Sequence, residues 1–215
     1  MRKNGYLLSV FLLFASLGHA QSMKDLFHES DVKFYWFGID YSHVQLIGTF
    51  NQIFLEGSRD PNSIKNTYFP GWNALFVREA DKYNVSAMLH GKQIETKIGP
   101  IYKINNQVDP LQLDTVNEVH YTPAQIQDFV KEYDFGTEEG IGAFFVAESL
   151  NKEQEHGIYH LVFLNLATNE VLHTQSFTGK AGGFGIRNYY AKSFRLVMET
   201  IQKNAFDQWK KLYAG

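Results

Sequence analysis

Residues able to do chemistry gather most densely in one stretch, Gly179-Lys180-Ala181-Gly182-Gly183-Phe184-Gly185-Ile186-Arg187-Asn188-Tyr189-Tyr190. A glycine-rich link that leaves a strand and enters a helix can aim backbone N–H groups at an anion, and the helix dipole adds to the attraction. The candidate ligand-binding set is therefore Lys180, Gly182, Gly183, Gly185, Arg187 and Asn188, with Lys180 and Arg187 as countercharge. The stretch matches neither the phosphate loop, which closes on Gly-Lys-Ser/Thr, nor the dinucleotide pattern Gly-x-Gly-x-x-Gly. The plainer explanation, which the sequence favours, is that these glycines permit positive φ and close helix–sheet packing.

Other constellations are weaker. Asp40, Ser42 and His43 suggest a triad, but on an extended strand Asp40 and Ser42 share one face and His43 takes the other. His156 and His160 have the spacing of a zinc pair on a helix. Across a turn and a strand, however, four residues span about 13 Å, and zinc needs its ligand atoms about 2 Å away. Asp134-Phe135-Gly136 matches a kinase tripeptide in letters alone. Glu138 and Glu139 form an acidic pair beside it, better explained as the entry to a buried strand. His28, His43, His90, His120 and His173 are dispersed along the chain. No catalytic residue, metal site or cofactor is expected.

The N-terminus opens with Arg2 and Lys3, continues uncharged from Tyr6 to Leu17, and ends in Leu17-Gly18-His19-Ala20. A positive start, a short apolar core and small residues before a cut read as a secretory signal over residues 1–20, leaving one domain over 21–215. The apolar stretch of about 12 residues is short of the roughly 20 that span a bilayer. The 215-residue chain has no cysteine, which removes disulfides, thiolate metal sites and a lipidated cysteine. A net charge of −3 gives no basic footprint for nucleic acid, and no second long apolar run predicts stable membrane insertion. The aromatic share is 15%, which points first to a core rich in Phe and Tyr.

The elements that must position these residues follow from pattern. Residues 33–41 are dense in aromatics and read as a first, interior strand. Asp60-Pro61 marks a helix start. Pro70-Gly71 is expected to break the chain, after which Leu75, Phe76, Ala80 and Tyr83 line a helix face. Lys92–Lys97 alternates as a second strand, and residues 99–120 read as loop with short helical turns. Thr122-Pro123 opens another helix. The stretches 140–150, 158–166 and 171–178 form an antiparallel meander. From near Arg187 one long helix carries Tyr190, Phe194, Val197, Met198, Ile201, Ala205, Trp209 and Leu212 on its apolar face.

Three stretches, Gly140-Ile141-Gly142-Ala143-Phe144-Phe145-Val146-Ala147-Glu148-Ser149, Val162-Phe163-Leu164-Asn165-Leu166-Ala167-Thr168 and the glycine-rich link, resemble a group of small exported proteins of Gram-negative envelopes, classed as domains of unknown function. The resemblance is strongest from residue 140 onward and implies a location without an activity. The order β-α-β-α-β-β-β-α is also similar to the N-terminal domain of TolB and to the periplasmic domain of the curli-secretion pore protein. The chain lacks the propeller of the first and the lipidated cysteine of the second, and topology alone does not fix function.

The expectation is an α+β domain with a mixed sheet of about five strands and a long C-terminal helix packed across it. It would act in the periplasm or at the outer envelope by contact with another envelope protein, without catalysis. The alternative is a small-molecule or anion binder, or a hydrolase, using residues 179–187. A homodimer through a sheet edge is a third arrangement.

Overall fold

The computed structural model describes residues 21–28, 31–48 and 61–214; the expected signal over residues 1–20 and the cap at Asp60 lie outside them. Regular structure runs β1 (Phe34–Asp40), β2 (Gln45–Ile47), α1 (Pro61–Ser63), a π turn (Ile64–Tyr68), α2 (Phe69–Asn73), α3 (Leu75–Arg78), α4 (Val85–Met88), β3 (Glu95–Thr96), α5 (Gly99–Gln107), β4 (Asp114–Thr115) and α6 (Pro123–Val130). It continues with β5 (Ile141–Asn151), β6 (His156–Asn165), β7 (Glu170–Lys180), α7 (Ile186–Thr200), a second π turn (Ile201–Ala205) and α8 (Phe206–Tyr213).

The seven strands form one mixed sheet. β1 pairs in parallel with residues 141–146 of β5, and β2 with residues 149–151, so β1 and β2 are two pieces of one interrupted strand. β3 lies parallel beside β1, and β4 beside β2. β5, β6 and β7 make the expected antiparallel meander. The sheet is thus about five positions wide, as the sequence suggested, with its outermost position on one side shared by β3 and β4.

Every residue of β5 is buried, because helices cover both of its faces. On one face Phe145, Tyr159, Leu161 and Phe163 pack against the long C-terminal helix and the helices of residues 61–88. On the other, Phe37, Phe144, Val146 and Val162 meet Ile101 of α5 and Ile126 and Val130 of α6. The aromatic excess is spent here: Trp36, Trp72, Tyr41, Tyr159 and Tyr190 are among the largest fully buried side chains.

Three expectations are corrected. Pro70-Gly71 does not break the chain; helical structure runs through it from residue 61 to residue 78. The π turn widens the helix just before Pro70, where Phe69 N–H reaches back to Ile64 O, and this makes room for a ring that clashes in a regular helix. Residues 99–107 are a helix of nine residues rather than loop, with Pro100 in its first turn and Ile101 in the core. His156 belongs to β6 rather than to the turn before it.

The interrupted strand leaves backbone groups that no neighbouring strand can satisfy, and two buried asparagines take them over. Asn73 accepts from Ile39 N–H (2.7 Å) and donates to Ile39 O (2.9 Å). Asn105 accepts from Tyr41 N–H (2.7 Å) and donates to the same Ile39 O (3.0 Å). Residue 38 is glycine because a Cβ there would lie 2.2 Å from Asn73 Oδ1. Asn73→Ala should therefore cost about 2–4 kcal/mol, since it strands buried peptide groups. Urea unfolding of this variant beside Asn62→Ala, a change on the half-exposed first turn of α1, measures it; equal stabilities would contradict the role given to Asn73.

Candidate functional site

The most elaborate polar constellation is not the one the sequence pointed to. It lies toward the carboxyl ends of β2, β4 and β5 and begins with a register irregularity. β5 pairs with β6 at Ala147↔Tyr159 and next at Ser149↔Ile158, so Glu148 is an extra residue without a partner on β6. Ala147 and Leu150 both belong to the core beneath the C-terminal helix. Glu148 and Ser149 consequently stand together on the opposite face, the re-aiming of side chains that a bulge produces.

Glu148 is 1% exposed, and a buried carboxylate needs donors. It accepts from His160 Nε2 (2.7 Å), His120 Nδ1 (2.7 Å) and the backbone N–H of Tyr121 (2.7 Å). An ionised carboxylate only accepts, so both contacting ring nitrogens carry hydrogen. Burial pushes the Glu148 carboxyl upward, but the bonds from His160, His120 and Tyr121 together outweigh it and hold the group below the usual carboxylate range. A second pair stands alongside: Glu118 accepts from Ser149 Oγ and from His156 Nε2 (3.0 Å). For Glu118 burial again raises the pKa and the bonds from Ser149 and His156 reverse it, leaving the group lowered.

These bonds pin residues 117–121 onto the sheet. Gln45 of β2 completes the attachment through its carboxamide, which donates to Val119 O (2.7 Å) and accepts from Val119 N–H (2.7 Å), as a strand would. Tyr121 OH donates to His43 O (2.5 Å); burial, then the charge of Glu148, pushes this phenol up to about 12. Over residues 111–119 Leu113 is buried, while Leu111, Val116 and Val119 stand outward, 71%, 88% and 56% exposed.

Chemically, His120 is the open end of the cluster. Its side chain is 72% exposed, and its Nε2 has the form of a general base backed by a carboxylate. The bond to Glu148, and then its charge, raise the His120 pKa above the ordinary imidazole value. The neighbouring hydroxyl of Ser149 is engaged with Glu118 and is not placed as a nucleophile. An open cleft of about 840 Å³ lies at the opposite end of the sheet, lined by Lys33, Tyr35, Glu138, Gly140 and Asn165 among others. Among the described residues, no group of three or more His, Asp or Glu is arranged to hold a metal ion.

The glycine-rich set is dispersed by comparison. Gly183 (φ 112°) and Gly185 (φ 79°) adopt left-handed backbone. Gly182 N–H is taken by Tyr189 O (3.0 Å). Arg187 is ion-paired with Glu79 and also donates to Asn188 Oδ1 (3.1 Å), while its carbonyl accepts from Trp72 Nε1 (2.9 Å). Asn188 donates to Phe184 O (3.1 Å), and Lys180 is exposed at the end of β7. A shallow cleft of about 310 Å³ adjoins, lined by Lys82, Tyr83, Asn188, Lys192 and Arg195; of the expected set it takes Asn188 alone.

The remaining pairs also resolve. His156 and His160 share a face of β6 but serve different carboxylates. Asp40 accepts from Ser42 N–H (2.7 Å) and from Tyr133 OH, whereas His43 lies 3.3 Å from Glu132; Asp40, Ser42 and His43 form no triad. Glu138 pairs with Lys97 (2.5 Å). What sequence reading missed is Glu148, Glu118 and Gln45. The available signal was a glutamate inside an otherwise apolar strand, which demands partners.

No family model matches the chain, and no curated protein does. Among solved structures it is similar to a neuraminyllactose-binding hemagglutinin homolog from Helicobacter pylori, at 9% identity and a TM-score of 0.31, with 86% of this chain and 91% of that chain covered. A likeness of that degree carries no argument here.

Two consequences are measurable. Because Glu148 and Glu118 are held low in the folded state, their contribution is complete above the unfolded value of about 4.3 and is lost as pH falls through their lower folded values. His120 has the opposite sign: its contribution is complete below an unfolded value of about 6.5 and fades as pH rises through its raised folded value. NMR titration should find His120 above 6.5 in the parent and returned toward it in Glu148→Gln. Identical titrations in both proteins would refute the pairing.

Proposed function

We propose that this chain is a non-enzymatic protein of the cell envelope that works by contact with another protein, and that residues 111–119 are its contact surface. The observation that carries the reading is the combination of exposure and anchorage. Leu111, Val116 and Val119 stand in solvent, on a stretch held by Gln45, Glu118 and Glu148. A surface fixed before it meets its partner loses little freedom on binding, which is what makes modest apolar area effective. An envelope location is supported by the signal pattern of residues 1–20 and by the resemblance to exported proteins of unknown function. Among the described residues no helix is long and apolar enough to cross a membrane.

A photo-crosslinking residue placed at Val116 or Val119 in the exported protein should give one discrete adduct with a second protein. The same residue at Val77, which is 59% exposed on α3, should not. Once the captured protein is identified, Val116→Asp with Val119→Asp should weaken its binding by roughly ten-fold or more. Equal crosslinking from all three positions, or none from any, would reject this surface.

A second reading, anion binding beside the glycine-rich link, is favoured by one feature. Lys82, Lys192 and Arg195 line the same shallow cleft as Asn188, and Lys192 Nζ lies 3.1 Å from where a Cβ on Gly182 would stand. Millimolar phosphate or a sugar phosphate should then raise the melting temperature, and Lys192→Ala should remove the rise. A melting temperature indifferent to both anions rules this out.

A further inference from the structure

We propose that the free edge of β7 pairs with β7 of a second copy of this chain, antiparallel and centred near Gln175. The two edges of the sheet differ sharply. On one side the outermost position holds β3 and β4, two residues each, and Lys97 beside β3 is ion-paired with Glu95 and Glu138. Short strands with charges beside them are how proteins blunt an edge. On the other side stands β7, eleven residues long, which among the described residues pairs with β6 alone. Its sequence, Glu170-Val171-Leu172-His173-Thr174-Gln175-Ser176-Phe177-Thr178-Gly179-Lys180, has no proline and no Asp, Glu, Lys or Arg between its two ends. Past the bulge at Leu172, the uncharged run from His173 to Gly179 is a template for another strand.

The distribution of charge selects the occupant. β7 is acidic at its first residue and basic at its last. Antiparallel pairing with an identical strand brings Glu170 of each copy toward Lys180 of the other, whereas parallel pairing sets like charges together. The arrangement is self-complementary, as a two-fold interface requires. β7 is also tied to the C-terminal helix, by Trp209 Nε1 donating to Gln175 Oε1 (2.7 Å) and by Tyr213 OH against His173 Nδ1 (3.0 Å). Near its start Val171 N–H is already taken by Gln127 Oε1 (2.9 Å), and the register shifts between Phe163 and Leu164 of β6. Ladder pairing therefore runs from about His173 to Phe177, with the Glu170 and Lys180 side chains of the two copies meeting just beyond each end. The dimer would carry one sheet across both copies, with residues 111–119 away from the joint on β4's side.

Sedimentation equilibrium of the full mature chain, with two sets of variants, tests this. The parent should be dimeric at micromolar concentration. Ser176→Lys, which sets two ammonium groups diagonally across the two-fold on one face of the sheet, should make it monomeric without lowering the melting temperature of the monomer. Glu170→Lys should weaken dimerisation about five- to ten-fold through two like-charge contacts per dimer, and Glu170→Lys with Lys180→Glu should restore it. A monomeric parent at 100-fold higher concentration overturns the proposal. So does a dimer that Ser176→Lys leaves intact, or one that the double reversal fails to rescue.

Discussion

A carboxylate enclosed between a sheet and its helices has to be supplied with donors, and Glu148 organises one whole end of this protein through that requirement. Left alone at 1% exposure, its charge would cost several kcal/mol. Two imidazoles and one peptide N–H meet the need, and they come from two separate parts of the chain. His160 belongs to the adjacent strand. His120 and the Tyr121 N–H belong to a segment with no strand pairing of its own past Thr115. Satisfying one buried group thus fixes the path of a surface segment, and that segment presents the exposed aliphatic side chains.

The same accounting explains the break between β1 and β2. A sheet that must be covered on both faces needs its interior strands continuous, yet here the strand beside β5 stops at Asp40 and resumes at Gln45. Peptide groups at Ile39 and Tyr41 are completed by Asn73 and Asn105, one from the helices on each face. The break lets Asp40 turn inward to Tyr133, whose phenol is pushed well above its ordinary value by burial and by the Asp40 charge. It also brings Gln45 to the place where its carboxamide holds Val119. The irregularity is therefore the feature that lets the tethered segment attach.

Legibility in the sequence followed the physics of each element. The meander could be read from apolar runs separated by short polar turns, and the long C-terminal helix from apolar steps of three and four. α5 could not, since Gly99, Pro100 and the pair Asn105-Asn106 look like turn chemistry, and Asn105 is inside for its hydrogen bonds rather than its apolarity. β2 and β4 are too short to carry a period, and of the strand expected over 92–97 only Glu95–Thr96 pairs. Glu148 was visible as a glutamate within an apolar run, but its donors lie 12, 27 and 28 residues away in sequence, a separation that pattern reading does not bridge.

The glycine-rich link shows why a motif is weaker evidence than an unmet requirement. A Cβ on Gly179 would lie 2.0 Å from Ser193 O, so β7 and α7 touch there backbone to backbone and no other residue fits. Gly183 and Gly185 then turn the chain into α7. These demands account for the glycines whether or not an anion ever arrives. Ion pairing takes Arg187 to Glu79, so the cationic groups around the nearby cleft come from the next turns of α7 and from the end of the α3 region. Any anion chemistry at this corner has to be argued from Lys192 first, because Arg195 pairs with Glu199, Lys82 with Glu79 and the backbone amide of Gly182 with Tyr189 O.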